Sequence, residues 1–560
     1  MQIKHIKMLM AGLLGILISG VLLVTSKLYS IPEEGLKWKT VTAIIIISFL
    51  LAAILIIVGH FVIFFVFFIR GCWFILSAKR KIGDDARKLF AKSFKNIEIF
   101  IRLRPSDSSP LYPWCEYVVE CAMKKSGEES DWFFRQLYEK YEWVLGIKPN
   151  NISTLRWWGN TLLEHAKKKE GMEALKLLEE ACEKYEEVLK IKPDDHYALK
   201  HCGYMLAKQA WIKRDKEGDK LFTQACEKFE QLIRIKPNTI EPLFLLGSIF
   251  LGQAKIKTGE EALKLFLEAN KRYSEAAKID ANDHDLLYCW GNSLLAQAKK
   301  QNWENCQELL LQACEKYERA IKIRPDDVVT LYDYGCALGQ LSMIKGGEES
   351  EILLSQSCEI FQHALDVKPD EFDVLHSLGY ALCRLSDTKT KNEQCKLLEQ
   401  ACEKFQKALK IEPENHEVLL NLACALSGLA EQKEGKEAEV LFSKAHQKFE
   451  QATKIKPVDF ATFGFWGSLL LEQADKETGI EREGLLDKAK EKFLKAEEIK
   501  RGPEAYNLAC VYALQGDEEE CQKWLKIAKE LRTLPPKDYV LADDDLKSIL
   551  SKEWFLRIVT

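Results

Sequence analysis

ACEKYEEVLKIKP, residues 181–193, holds an amphipathic helix and the signal that ends it. Ala181, Tyr185, Val188 and Leu189 share one helical face at i, i+4, i+7 and i+8. Pro193 closes the helix, because it has no N–H to donate and disfavours helical geometry in the residue before it. Close copies stand at residues 225–237, 313–325 and 401–413, all on one 44-residue grid. Pro105, Pro149, Pro193, Pro237, Pro325, Pro369, Pro413 and Pro457 lie on that grid, with Ala281 filling the one gap. A second ladder runs through Gly159, Gly203, Gly247, Gly291, Gly335, Gly379 and Gly467, with Ala423 in place of one glycine. A third carries a ring at Tyr141, Tyr185, Phe229, Tyr273, Tyr317, Phe361, Phe405, Phe449 and Phe493.

Each ladder has a physical task. An Asp or Asn often follows the proline, placed to cap the next helix. The glycine in that next helix lets a neighbour approach closely, and the ring fills the space between layers, worth about 1.5–3 kcal/mol of burial. The expected unit is therefore a pair of antiparallel helices, A and B, with the B helix ending near its grid proline. Asn282 and Asp283 offer turn and cap chemistry where Ala281 replaces proline.

This pattern resembles the tetratricopeptide repeat (TPR). The small residue of helix A falls on Gly203 and that of helix B on Ala225; the aromatic falls on Phe229, the apolar pair on Leu232 and Ile233, and the closing proline on Pro237. The spacing from Gly203 to Ala225 is about 10 residues longer than the usual 34-residue repeat gives. The extra residues sit between the helices, in KRDKEGDK (213–220) and KTGEEALK (257–264), and read as lengthened helix ends plus an exposed turn. In this respect the chain is similar to the loop-extended repeats of plant-type mitochondrial import receptors and of some long bacterial TPR proteins. The resemblance implies an all-α, TPR-type helical solenoid of about ten helix pairs over 107–533. Residues 503–531 look like an ordinary short repeat, and 534–560, with ADDDLKSILSKEWFLRIV, like a capping helix.

The N-terminal end has a different composition. Residues 8–26 are apolar apart from two serines and a threonine, long enough for a transmembrane helix. A second run, 41–69, would extend roughly 43 Å against a hydrocarbon core of about 30 Å, so it must tilt or project. Residues 1–76 are accordingly expected to be a two-helix membrane anchor, followed by a leading amphipathic helix at 84–103. Arg70, Lys79, Arg80, Lys81, Arg87 and Lys88 crowd the far side of the second span, which places the repeats in the cytoplasm by the positive-inside rule. The expected location is a bacterial inner membrane. Residues 1–26 also fit a cleaved signal peptide, though Val24-Thr25-Ser26 is a weak cleavage site.

The 80 basic and 84 acidic residues leave a net charge of −4, which argues against a nucleic-acid partner. The 17 cysteines contain no CxxC; Cys182, Cys226, Cys314, Cys358 and Cys402 follow the grid and read as small core residues of a protein kept in a reducing compartment. GxxxxGK[ST], HExxH and GxSxG are absent, so no enzyme, cofactor or metal is expected. Trp158, Trp290 and Trp466 each precede a grid glycine and read as packing; Trp157, Trp211 and Trp303 are off that register and are candidates for partner contact.

In the resembled family the A helices line a groove, which implies that residues one turn either side of the glycine contact the partner. These are Arg156, Asn160, Lys200, Tyr204, Phe244, Tyr288, Asn292, Tyr332, His376 and Tyr380. Glu241 and Leu245 stand where a chaperone-tail carboxylate clamp needs cations, which argues against that ligand. A lining rich in aromatics with little net charge suits an amphipathic helix or extended peptide. The leading expectation is a membrane-anchored cytoplasmic scaffold or adaptor with a protein or peptide partner. The alternatives are a targeting or translocation receptor for amphipathic presequences and the regulatory partner of a separately encoded effector enzyme.

Overall fold

The computed structural model describes residues 88–95, 98 and 111–559, save 214 and 302. Both expected membrane segments lie outside this set, and no helix of the described residues is long and apolar enough to cross a membrane. Every regular element among the described residues is helical. The chain divides into two compact units, residues 1–249 and 250–560.

In the first unit α1 (Leu111–Met123), α2 (Gly127–Ile147), α3 (Ile152–Ala166), α4 (Gly171–Ile191), α5 (His196–Lys213) and α6 (Lys216–Ile235) form three pairs, and the division between the units falls within α7 (Ile240–Ile256). The second unit continues with α8 (Gly259–Ala277), α9 (His284–Lys300), α10 (Trp303–Ile323), α11 (Val328–Lys345) and α12 (Gly347–Val367). Next come α13 (Phe372–Ser386), α14 (Lys391–Ile411), α15 (His416–Gln432), α16 (Gly435–Ile455), α17 (Phe460–Ala474) and α18 (Gly479–Ile499). It ends with α19 (Ala505–Leu514), α20 (Glu518–Glu530), α21 (Lys537–Ala542) and α22 (Glu553–Val559). Odd numbers are A helices and even numbers B helices as far as α20.

The grid proline stands two residues beyond the end of α4, α6, α10, α14 and α16, as its missing donor requires. Where Ala281 replaces it, α8 stops earlier, at Ala277. Two residues past the grid position comes the N-cap of the next A helix. Asn151, Asp283, Asp327, Asn415 and Asp459 accept a backbone N–H there, and Asp195 accepts from Ala198 N at 3.0 Å.

B helices of 21 residues, such as α4 and α12, take up most of the added repeat length, leaving only short links after the A helices. Several B helices open on a glycine outside the three ladders of the sequence reading: Gly127, Gly171, Gly259, Gly347, Gly435 and Gly479, with φ between +55° and +61°. Their 44-residue spacing marks a left-handed turn that a side chain would strain. At the far end of the A helices lysines act as caps. Lys168 Nζ donates to Met123 O and Lys125 O, Lys300 Nζ to Ala254 O and Lys255 O, and Lys476 Nζ to Ala430 O and Glu431 O. Each meets the negative end of the preceding A helix.

The ring ladder sits directly on the glycine ladder. A Cβ on Gly159, Gly291, Gly335, Gly379 or Gly467 would fall 2.6–2.7 Å from the ring of Tyr185, Tyr317, Phe361, Phe405 or Phe493. Residues 88–95 are helical, and Phe90 and Phe94 are buried with Trp114 and Phe133. The C-terminal tail is not one helix: Asp543 accepts from Asp545 N, and a 3-10 turn at Asp544–Leu546 separates α21 from α22. Val540, Leu546, Ile549 and Phe555 still cover Ala509, Cys521 and Leu525.

Gly335→Ala should therefore destabilise the chain by about 1–2 kcal/mol, overpacking outweighing the roughly 1 kcal/mol gained in helix propensity. Phe361→Leu in the same chain should recover part of that loss. Denaturant melts of the single and double variants measure both, and full additivity would show that the ring and the glycine do not interact.

Candidate functional site

Lateral bonds tie down much of the predicted A-helix lining. In the first unit Arg156 pairs with Asp195, the buried N-cap of α5, and its guanidinium lies 5.1 Å from the Tyr197 ring. Asn160 Nδ2 donates to Tyr197 OH at 2.7 Å, and Asn160 Oδ1 accepts from Tyr185 OH at 2.6 Å. Lys200 pairs with Glu241 at 2.9 Å. Phe244 is half-buried, whereas Tyr204 is exposed with Lys208 Nζ 5.1 Å from its ring.

The second unit repeats the arrangement. Asn292 Oδ1 accepts from Tyr317 OH at 2.6 Å, and Tyr288 OH donates to Asp333 at 2.9 Å. Burial raises the Asp333 carboxyl above the usual range, with the Tyr288 bond opposing. Tyr332 leans on the Phe361 ring. Asn421 Nδ2 donates to His376 Nε2 at 2.8 Å, consistent with a ring that burial holds neutral. Tyr380 is exposed, at 47%.

Tyr380 and His376 belong to a cleft of about 450 Å³ on the A faces of α11, α13 and α15. Met343, Leu354, Leu420 and the Phe361 ring supply its apolar wall; Gln340, Arg384, Glu417 and Asn421 its polar rim. Of these lining residues only Tyr380 and His376 are among those expected from the sequence. Met343, Arg384 and Glu417 lie eight after, five after and six before their grid position, more than one turn from it, so a wider helical window would have found them. The tryptophans ahead of the glycines pack as expected: Lys184, Lys316 and Lys492 sit 4.4–4.5 Å over Trp158, Trp290 and Trp466. Trp157 stacks on Tyr112 and Trp211 meets Phe222 edge-on, so both serve packing; the Trp303 side chain lies outside the described residues.

The repeat geometry above, helix pairs with the ring seated on the glycine, supports one conclusion. The chain is a TPR-like helical repeat protein. The family described as "Plant specific mitochondrial import receptor subunit TOM20" matches residues 128–246 and 260–382. That described as "Regulator of microtubule dynamics protein 1-3" matches 348–553. No curated protein matches. Solved structures similar to this TPR-like chain include YrrB, a TPR protein with an unusual peptide-binding site, at 15% identity over 42% of this chain and 97% of that one, TM-score 0.30. PilF of Pseudomonas aeruginosa shares 16% over 47% and 92%, TM-score 0.30. A thermophilic TPR protein of Thermus thermophilus, TTC0263, shares 18% over 42% and 100%, TM-score 0.26.

Beyond the cleft, Ser427 Oγ donates to Glu472 at 2.6 Å, and the Glu431 carboxylate lies beside Glu472. Burial first, then the Glu431 charge, raises the Glu472 carboxyl. A carboxyl raised in the fold holds a proton that the unfolded chain has released above its ordinary pKa of 4.5. Stability from this group is thus complete in acid and falls as pH rises from that value through the raised one. Glu472→Gln should raise Tm at pH 8 by about 2–4 °C and leave it unchanged at pH 4. Thermal melts at the two pH values check this, and an equal shift at both would exclude titration of Glu472 as its cause.

Proposed function

We propose that the protein is a membrane-anchored scaffold, non-catalytic in itself, that holds a protein partner on the A faces of its TPR-like repeats. The cleft of α11, α13 and α15 carries this reading. It joins exposed apolar side chains, Met343 at 49% and Tyr380 at 47%, to unspent polar groups such as Gln340 and Arg384. A shape of this kind seats the apolar side of a helix or an extended peptide. Elsewhere on the A faces, side chains such as Arg156, Asn160 and Tyr288 bond to neighbouring helices and set the spacing of the surface. Residues 1–76 would hold the chain in the membrane, and the basic cluster from Arg70 to Lys88 supports placing the repeats on the cytoplasmic side.

A second reading, a receptor in protein targeting or translocation, is favoured by the match to the plant import-receptor family over 128–246 and 260–382. The two differ in partner number. A scaffold keeps one or two stable partners, whereas a receptor binds many unrelated segments weakly.

A partner recovered from membranes in mild detergent should lose about tenfold in affinity, roughly 1.4 kcal/mol, on Met343→Ala or Tyr380→Ala. Tm should hardly change. Leu311→Ala and Val440→Ala, equally exposed on B helices, should leave binding intact. The opposite pattern would move the working surface to the B face. Removing residues 1–76 should shift the chain from the membrane to the soluble fraction; continued sedimentation with membranes would show that the anchor lies elsewhere.

A further inference from the structure

The A faces and B faces of the second unit treat charge differently. On the B helices α10, α14 and α16 acids and bases pair one turn apart: Lys322–Glu318, Lys407–Glu403 and Lys454–Glu450, at 2.7–2.8 Å. On the A faces of α13 and α15 the exposed carboxylates Asp373, Glu417 and Glu431, with Asp387 at the C-terminal cap of α13, have no ion-pair partner among the described residues. Glu472 on α17 and Asp475 at its C-terminal cap extend the series; Asp475 meets Arg482 at 3.7 Å. Arg384 is the one lysine or arginine lining the cleft. The little net charge expected of the narrow lining therefore gives way, over the wider face, to an acidic excess.

These carboxylates are ordered in space. Asp373 and Glu417 stand six residues before the grid position; Asp387 and Glu431 stand eight after it. Fourteen residues of helix separate the two rims, about 21 Å along the axis. The strip between them is the cleft, walled by Tyr380, Leu420 and the Phe361 ring, with Met343 at its edge. A helix about 10–12 Å across leaves about 5 Å on each flank, within reach of lysine and arginine side chains whose stems lie along apolar surface.

We propose that the A face of α11 to α17 takes a basic amphipathic helix, its apolar side seated in the cleft and its lysine and arginine side chains on the two carboxylate rims. The proposal rests on reading the cleft as the partner site and adds the sign of the partner's charge. Cationic side chains would relieve the repulsion between the rim carboxylates, an attraction that also speeds encounter and weakens with salt. Arg384 opposes it locally, one charge against the four unpaired carboxylates around it.

The test uses the full chain in detergent and three labelled synthetic helices, each roughly 18 residues long. They share one apolar face and carry lysine, glutamine or glutamate on the polar face. The lysine peptide should bind at least about tenfold tighter than the glutamine peptide, and the glutamate peptide weakest. Raising salt from about 50 mM to about 500 mM should erase most of that preference. The double variant Glu417→Lys, Glu431→Lys should erase it too, with Tm not lowered, because both side chains are exposed and Glu431 stands beside Glu472 with a charge of the same sign. Equal binding of the lysine and glutamine peptides, still lost on Tyr380→Ala, would overturn the charge assignment and leave the cleft reading standing. Preference for the glutamate peptide would also overturn it and make Arg384 the selector. Binding of none of the three would sink both.

Discussion

The contact between the ring of a B helix and the bare backbone of its A helix carries the rest of this structure. Tyr185 on Gly159, Phe361 on Gly335 and Phe493 on Gly467 leave no room for a methyl group. That closeness brings the paired helices together, and flanking residues such as Ala181 and Ala364 are fully buried in consequence. Ala423 shows the tolerance of the arrangement: it is buried in one core cluster with Phe449, so one repeat accommodates the added carbon. A ring over glycine also fixes the rotation of the A helix. The residues three before and one after the glycine then flank the ring: Asn160 and Asn292 accept from Tyr185 OH and Tyr317 OH, and Tyr332 leans on Phe361.

Helix ends supply the second constraint. Most A helices begin on a side-chain cap such as Asp327 or Asn415, two residues after the grid position; α13 keeps that position with Glu371 but not the bond. Glycines with φ near +57° open B helices such as α12 and α16. Lys300 and Lys476 then fasten the end of one A helix to the end of the one before. Three local devices thus hold neighbouring A helices in register, and a surface spread over α11, α13 and α15 depends on that register.

Much of this was legible in the chain, for a definite reason. Proline, glycine and a large ring each act through backbone geometry or volume, so their spacing reports structure directly. The Gly127 to Gly479 ladder is equally regular, yet in the sequence it reads only as turn composition, since a positive φ is not visible there. The site was less legible. Helical phase identifies which residues face outward, but not which of them bond sideways. Arg156 with Asp195 and Tyr288 with Asp333 lie 39 and 45 residues apart, and only coordinates bring such pairs together. Met343 and Arg384 lie eight and five residues after their glycines, beyond a window of a single turn. The tail departs from expectation for another reason. In sequence Asp543 fits a continuous helix, whereas its carboxylate ends the helix and starts a 3-10 turn.

The division of charge between the two faces follows from the same architecture. A B helix presents its outer side to water alone, so paired lysine and glutamate one turn apart keep it soluble without favouring any ligand. On an A face the neighbouring A helices run alongside, and a charge can be met laterally, as Lys200 meets Glu241. Lateral pairing is therefore available on every A face, and where it is used the face is closed to ligands of either sign. Asp373, Asp387, Glu417 and Glu431 have that opportunity and do not take it. Leaving like charges unpaired around an apolar cleft costs stability through their repulsion. At Glu472 the neighbouring Glu431 charge adds to burial in raising the carboxyl. A partner of opposite charge removes that repulsion on binding, so the same groups that strain the free protein give the complex its selectivity.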